Sequence, residues 1–317
     1  TPFMKKAAEQ AVPEPRKNNF SNYFAAPLST PTVSVDDYTA DIGERELLIH
    51  GGREEGLAIL RKNHYLTNYK EKRNLPALHN TSRLSAHHKF GTISIRESYH
   101  MAAEAAGARS HFISELYWRD FYYYISYHFP QVFKHSFLPW AQHIDWINDE
   151  RQFAAWCKGE TGVPMVDAGM RELNQTGWMH NRSRMIVACY LTKNLLINWR
   201  WGEKYFAQNL IDYDPSQNNG GWQWSASTGA DPRPMRVFNP YSQAEKYDAD
   251  AVYIKQWVPE LRDVPDTTIA GGKTIDFSEL AQDYPSPLVD QTESFHRAND
   301  VYKAAKAAYK QRNVETK

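Results

Sequence analysis

Residues 176–185 read Thr-Gly-Trp-Met-His-Asn-Arg-Ser-Arg-Met, and residues 218–224 read Asn-Asn-Gly-Gly-Trp-Gln-Trp. On a helix of period 3.6, Trp178, Asn181, Arg182 and Met185 would share one face. A face built only for burial is apolar throughout. Ring, amide and cation together ask for a ligand with both flat and polar parts. A second mixed face lies in the stretch Phe112 to His128, where Glu115, Trp118, Arg119 and Tyr122 fall at i, i+3, i+4 and i+7. Glu115 and Arg119 alone would make an exposed ion pair worth roughly a few tenths of a kcal/mol, but Trp118 between them points to binding. A third group, Tyr69 to Arg73 and Thr81-Ser-Arg-Leu-Ser85, is rich in hydroxyls ahead of a helical pattern. Free backbone amides and hydroxyls before a helix seat a phosphate; Thr81 and Ser85 serve equally well as helix caps.

The elements that must position these groups read as an all-α domain. Helices are expected over Ile95 to Ala106, over Phe112 to His128 with a stop at Pro130, over the apolar run Ile186 to Ile197, over Tyr205 to Leu210, and over Phe295 to Lys310. Phe112, Leu116, Tyr123 and Tyr127 would form the core side of the second of these. A helix pair is expected around His50-Gly51-Gly52, and Gly220 and Gly221 would let backbone approach a neighbour closely. Strand signals are few and no repeat occurs. Pro2, Pro13, Pro15, Pro27 and Pro31 mark residues 1–42 as a linker or arm with a short helix near Phe3 to Gln10, leaving 43–317 as the helical domain.

The totals exclude several classes. Lys plus Arg and Asp plus Glu are 37 each, so only a local patch could bind nucleic acid. Cys157 and Cys189 stand far apart without metal-ligand spacing, which argues against a metal site and for a reducing, intracellular setting. No run of about 18 apolar residues is present, so no membrane partner is expected. The chain starts at Thr1, which reads as a portion of something longer. Ten Trp, nineteen Tyr and fourteen Phe make 14% of the residues; most should be core, with those in polar sequence left for stacking or redox work.

Five stretches carry a family likeness: Thr81-Ser-Arg-Leu-Ser85, Ser114-Glu-Leu-Tyr-Trp-Arg-Asp-Phe121, residues 176–185, residues 218–224, and Arg236-Val-Phe-Asn-Pro240. In these the chain resembles, from about Gly43 to Tyr309, the FAD-binding domain of the photolyase/cryptochrome family, most closely its class I cyclobutane pyrimidine dimer photolyases. The resemblance implies a U-shaped FAD, reduced in the active form. It would be held at its diphosphate and ribose by Tyr69, Thr81, Ser82, Arg83, Leu84 and Ser85, and around its flavin by Arg184, Asp212, Tyr213, Asp214 and Asn218. The family's α/β antenna domain would be missing apart from its exit linker, so no antenna chromophore is expected on this chain.

The same resemblance implies a lesion pocket of Glu115, Trp118, Asn181, Met185 and Trp224, and an electron-transfer chain of Trp222, Trp199 and Trp146. UV-damaged DNA, single- or double-stranded with the dimer flipped out, would be the partner of a monomeric protein in the cytoplasm or nucleoid. Arg73, Arg119, Tyr122, Asn181, Arg182, Arg236 and Gln243 would contact it, each neutralised phosphate adding a salt slope of roughly −0.9. Asn181 and Met185 favour the cyclobutane lesion over the six-four photoproduct. The implied activity is light-driven dimer repair; a cryptochrome-like blue-light receptor and a light-independent nucleic-acid binder are the alternatives. Asn218 favours repair, since the family's plant receptors carry Asp there.

Overall fold

The computed structural model describes residues 2–16, 19, 21, 26, 34, 48–231, 235 and 237–315. Arg236, the boundary at residue 43 and the first member of the helix pair before His50 lie outside these residues. The described residues form helices and turns, and no strand occurs among them. None of these helices is long and apolar enough to cross a membrane, and among the described residues no group of three or more His, Cys, Asp or Glu is placed to hold a metal.

Helices of eight or more residues are numbered here in chain order. Helix α1 (Arg53–Lys62) starts behind Gly52, whose φ of 101° suits only glycine, and runs from Glu54 and Glu55 to Arg61 and Lys62 in accord with its dipole. In α2 (Ile95–Ala106) Ser94 and Glu97 form a capping box. Ser110 caps α3 (His111–His128), which stops ahead of Pro130. Phe112, Ile113 and Leu116 are buried in α3, but Tyr127 is 81% exposed and Tyr123 turns to a carboxylate, so the expected core side ends at Leu116.

The centre of the main core is α5 (Pro164–Thr176), ten of whose residues are buried. It packs against α4 (Glu150–Lys158), α6 (Asn181–Cys189), α9 (Pro240–Tyr247) and the short helix Val252–Trp257. Buried Asp167 on α5 accepts from Thr161 N at 2.7 Å, Thr161 Oγ1 at 2.6 Å, Gly162 N at 3.0 Å and Tyr284 OH at 2.5 Å. Four donors offset the cost of a buried carboxylate.

Helix α6 begins at Asn181 because the His180 side chain caps it, accepting from Arg182 N at 3.1 Å. Trp178 therefore lies outside the helix and does not share the expected face; it is buried against Ile49 and Ala86. The expected helix from Ile186 to Ile197 is interrupted by a π turn, Tyr190–Asn194, after which Leu196 takes φ 50°. Thr192 Oγ1 donates to Ala188 O at 2.8 Å, a back-bond that competes with the regular ladder. The turn buries Lys193, whose Nζ donates to Ser225 O at 2.6 Å and lies 5.2 Å from the Tyr302 ring centre; burial pushes this ammonium down to about 8.

Asn198 caps α7 (Trp199–Asn209), which starts well before the expected Tyr205. The aspartate Asp214 caps α8 (Pro215–Ser225), accepting from Ser216 N at 3.0 Å and Gln217 N at 3.1 Å. Gly220 on α8 leaves room for the Tyr122 ring, which a Cβ would meet at 2.0 Å, whereas a Cβ on Gly221 meets nothing. On α7 a Cβ at Gly202 would meet the Trp222 ring at 2.1 Å and Leu191 at 2.7 Å. The last helix, α10 (Gln291–Glu315), is longer at both ends than the expected Phe295 to Lys310.

Replacing Gly202 with Ala forces the buried Trp222 ring to move. Overpacking of this kind should destabilise the chain by about 1–3 kcal/mol in urea unfolding, with a blue or red shift of tryptophan emission reporting the displaced ring.

Candidate functional site

Helices α3, α6, α7 and α8 and the turn at residues 212–214 enclose a cavity of about 390 Å³. It brings together both sets of residues singled out in the sequence. Arg184, Asp212, Tyr213, Asp214, Asn218 and Trp222 line it, as do Arg73, Glu115, Trp118, Arg119, Tyr122, Asn181, Met185 and Trp224. Tyr69 and residues 81–85 do not.

Arg184 clamps Asp212 with two bonds, Nη1 to Oδ1 at 3.2 Å and Nη2 to Oδ2 at 2.8 Å, while its Nε donates to Met179 O at 2.8 Å. The Asp212 side chain is only 2% exposed, and the paired, parallel bonds are what make such a charge tolerable. Asn218 Nδ2 donates to Glu203 O at 2.9 Å. Glu115 pairs with Arg73, from 42 positions upstream, rather than with Arg119 one turn away. Arg119 instead lies 4.7 Å over the Tyr123 ring and donates to Tyr123 OH at 3.2 Å. Tyr123 OH in turn donates to Asp214 Oδ2. Burial first, and then this bond to Asp214, push the Tyr123 hydroxyl up to about 12, so it stays a donor. Tyr123 was assigned to the core from its spacing; its tie to Asp214 spans 91 positions and leaves no local signal.

Asn181 lies exposed at the start of α6, with Nδ2 donating to Met185 Sδ at 3.7 Å one turn on. Trp118 is 37% exposed, with its ring 5.6 Å from Phe121 and 6.0 Å from Tyr122. Trp224 tilts against Phe238 at 5.9 Å. Arg182 is held inward, with Nη2 donating to Asn74 Oδ1 at 2.6 Å and the guanidinium 4.3 Å from the Tyr247 ring centre. Trp118, Tyr122 and Trp224 also line an adjoining apolar cavity of about 660 Å³, together with Phe3, Phe121 and Phe137, which sequence reasoning did not find.

In the segment 81–85 the five residues separate. Leu84 is core, buried beside Leu60 and Tyr65. Ser82 Oγ accepts from Leu84 N at 3.3 Å, and Ser85 opens a short helix that has no side-chain cap. Arg83, at φ 53°, stacks 5.1 Å over Trp178 and donates to His79 Nδ1 at 2.6 Å. Thr81 Oγ1 is buried without a partner, so Thr81 is not a cap. Tyr69 packs edge-on against Phe112 at 5.6 Å. Of the expected electron-transfer residues, Trp222 and Trp199 are buried and Trp146 is partly buried against the same cluster, but the rings that Trp222 meets are Phe206 at 4.9 Å and Trp156 at 6.0 Å.

A family model described as the FAD binding domain of DNA photolyase matches residues 112–304. The chain belongs to this family. The photolyase domain is 45% identical over 260 residues to the deoxyribodipyrimidine photo-lyase of Synechococcus, covering 79% of this chain and 53% of the relative. Against the Escherichia coli deoxyribodipyrimidine photo-lyase it is 44% identical over 266 residues, covering 80% and 56%. The solved archaeal photolyase from Sulfolobus tokodaii with two FAD molecules superposes at a TM-score of 0.76 with 45% identity, covering 84% of this chain and 60% of that one. The chain spans about half the length of the curated relatives it matches.

The residues of this photolyase domain fit FAD as their cofactor on structural grounds. Thr81 Oγ1 and Arg83 Nε, in the stretch expected to hold the diphosphate and ribose, and Trp222 Nε1, in the cavity wall, are buried without protein partners. Buried polar atoms left unpaired are rare, and a bound polar cofactor supplies partners. His180 uses Nδ1 as acceptor for its cap, so its neutral ring carries hydrogen on Nε2. Burial, followed by Arg182, Arg184, Arg83 and His79, pushes this imidazole down to about 3.

Between pH 6.5, its ordinary value, and about 3 the unfolded chain binds a proton that the folded chain refuses. Stability therefore falls as pH drops through that window. His180→Asn, which keeps a capping oxygen, should flatten the pH dependence of the unfolding free energy there; an unchanged slope would show that His180 is not the buried neutral group described.

Proposed function

We propose that the protein repairs cyclobutane pyrimidine dimers in UV-damaged DNA under light, in the manner of a class I enzyme. The observation that carries this is the single cavity shared by Arg184, Asp212 and Asn218 on one hand and Glu115, Trp118, Asn181, Met185 and Trp224 on the other. A cofactor held by the first group lies against a substrate held by the second, with no protein layer required between them.

When bound, reduced FAD supplies the light absorption and the single electron that the dimer needs to open. The chain's own residues position and exclude. Arg184, fixed by Asp212, would hold the flavin with a planar cation. Asn218, with one amide hydrogen committed to Glu203 O, would hold the flavin through its amide without adding charge. A dimer stacks and pairs poorly, so flipping it out costs less than the few kcal/mol an intact base requires. Trp118 and Trp224 supply flat apolar walls, and Glu115 and Asn181 supply an acceptor and an amide for the pyrimidine edges. Arg73 keeps the Glu115 carboxylate compensated until that exchange.

Asn181 and Met185, in place of histidines, support a cyclobutane rather than a six-four lesion. Arg73, Arg119 and Tyr122, which line the cavity, are the groups for phosphate contact there, whereas Arg182 and Gln243 lie outside its lining; Trp222, Trp199 and Trp146 would deliver electrons to an oxidised flavin. A monomer acting on intracellular, nucleoid DNA goes with this reading.

Illumination of the purified, FAD-loaded and reduced chain with dimer-containing oligothymidylate should restore thymine absorbance. Bound FAD without recovery would overturn the proposal. Trp118→Ala should weaken binding to dimer-containing DNA by about 1–3 kcal/mol while leaving undamaged DNA unaffected, as read in a titration of both.

A further inference from the structure

Trp222 is buried in the wall of the cavity, and its indole N–H has no protein partner. Its ring contacts lead away from Trp199. The Trp222 ring meets Trp156 of α4 at 6.0 Å and 70°. Trp156, fully buried, stacks on Phe153 one turn earlier at 5.8 Å and 17°. Phe153 then receives Trp201 of α7 edge-on at 5.2 Å and 75°. Trp201 is partly exposed. An unbroken series of ring contacts thus joins the cavity to solvent through α4, while the Trp146 ring, packed on the same core, meets Tyr302 at 6.1 Å.

We propose that Trp201, Trp156 and Trp222 form a second electron-supply branch from solvent to the FAD site, separate from the branch that ends at Trp146. The proposal rests on the reading that FAD occupies the cavity beside Trp222. Trp222 gives one electron to the photoexcited oxidised flavin and is left as a radical cation. Trp156 refills Trp222, and Trp201 refills Trp156 across the Phe153 ring, which is a bridge and is not itself oxidised.

The surroundings of the two outer indoles set the direction. Trp156 Nε1 donates to Val187 O at 3.1 Å. A backbone carbonyl is an acceptor but not a base, so oxidised Trp156 keeps its proton and stays able to draw an electron from the next ring. Trp201 reaches water, where its radical cation releases the indole proton and becomes a neutral radical. That loss holds the vacancy at the surface. A thiol then supplies one electron and one proton, restoring Trp201 and leaving a thiyl radical. Each turn oxidises one thiol and adds one electron to the flavin.

Mixed contacts also distinguish this series from ordinary core packing. Trp201 packs against the core yet keeps part of its ring in water, where an oxidisable ring can meet a reductant from solution. The alternating edge-on and stacked geometry brings every consecutive pair of rings into contact.

The test uses the whole chain loaded with oxidised FAD, a light flash, and the absorbance of tryptophan radicals, with dithiothreitol as the thiol. Trp146→Phe should retain a long-lived tryptophan radical, and adding Trp201→Phe should abolish it. Phe153→Leu in the Trp146→Phe background, which removes the bridge and leaves Trp201 in place, should also lower that signal. Loss of the whole long-lived signal in Trp146→Phe alone, or no further loss on adding Trp201→Phe, overturns the branch while the cofactor reading stands. A chain that shows no flavin spectrum in the dark overturns both.

Discussion

The Arg184–Asp212 clamp is the constraint from which the site is built. It joins α6 to the turn that precedes α8, and it does so with a carboxylate that is almost wholly withdrawn from water. A buried charge pair is favourable only in good geometry, so the register between these two elements has little freedom. Ile211 N donating to Gly177 O at 2.8 Å pins the same junction from the backbone side. Asn181 and Met185 stand on the helix that carries Arg184, and Asp214, two residues beyond Asp212, caps the helix that carries Asn218, Trp222 and Trp224. One ion pair therefore sets the relative position of the residues that line the cavity from both elements.

Around that clamp the interior is unusually polar. Glu172 of α5 is buried and accepts from Tyr253 OH at 2.6 Å and from His180 N at 3.1 Å, and Tyr253 OH also receives Ser183 Oγ at 3.0 Å. Burial pushes the Glu172 carboxyl above its usual range, opposed by these bonds and by Arg184 and Arg83. The network links the α5 core to the N-terminus of α6, so the helix that carries Asn181 and Met185 is anchored by hydrogen bonds as well as by packing. Such networks specify one arrangement when fully satisfied and are costly when any member is removed.

How much of this was legible depended on the range of the interaction. The start of α2 follows from Ser94 and Glu97, and the stop of α3 from Pro130, because caps and prolines act within a few residues. Helix α8 did not read as a helix: its asparagines and paired glycines favour loops, and its formation depends on the Asp214 cap and on Tyr122 of α3 filling the space that Gly220 leaves. Trp178 looked like a helical neighbour of Asn181 until His180 proved to be a cap, an unusual role for histidine. The partners of Glu115 and Tyr123 come from 42 and 91 positions away, and no local pattern could have named Arg73 or Asp214. The cluster of motifs itself was legible because function, unlike packing, demands particular side chains.

The buried Lys193 has a consequence for the helix beside it. Its ammonium bonds the carbonyl of Ser225, the last residue of α8, while Asp214 sits at the opposite end. Both charges complement the helix dipole. Together they also lay a field along α8, positive at the end nearer Trp222. Trp222 stands one helical turn before Ser225, so in the proposed electron supply a positive vacancy on its ring would be disfavoured by that field. The same lysine that stabilises the resting helix would thus, on that proposal, make its innermost indole a poor place for a vacancy to remain and bias the vacancy toward rings farther from the cavity.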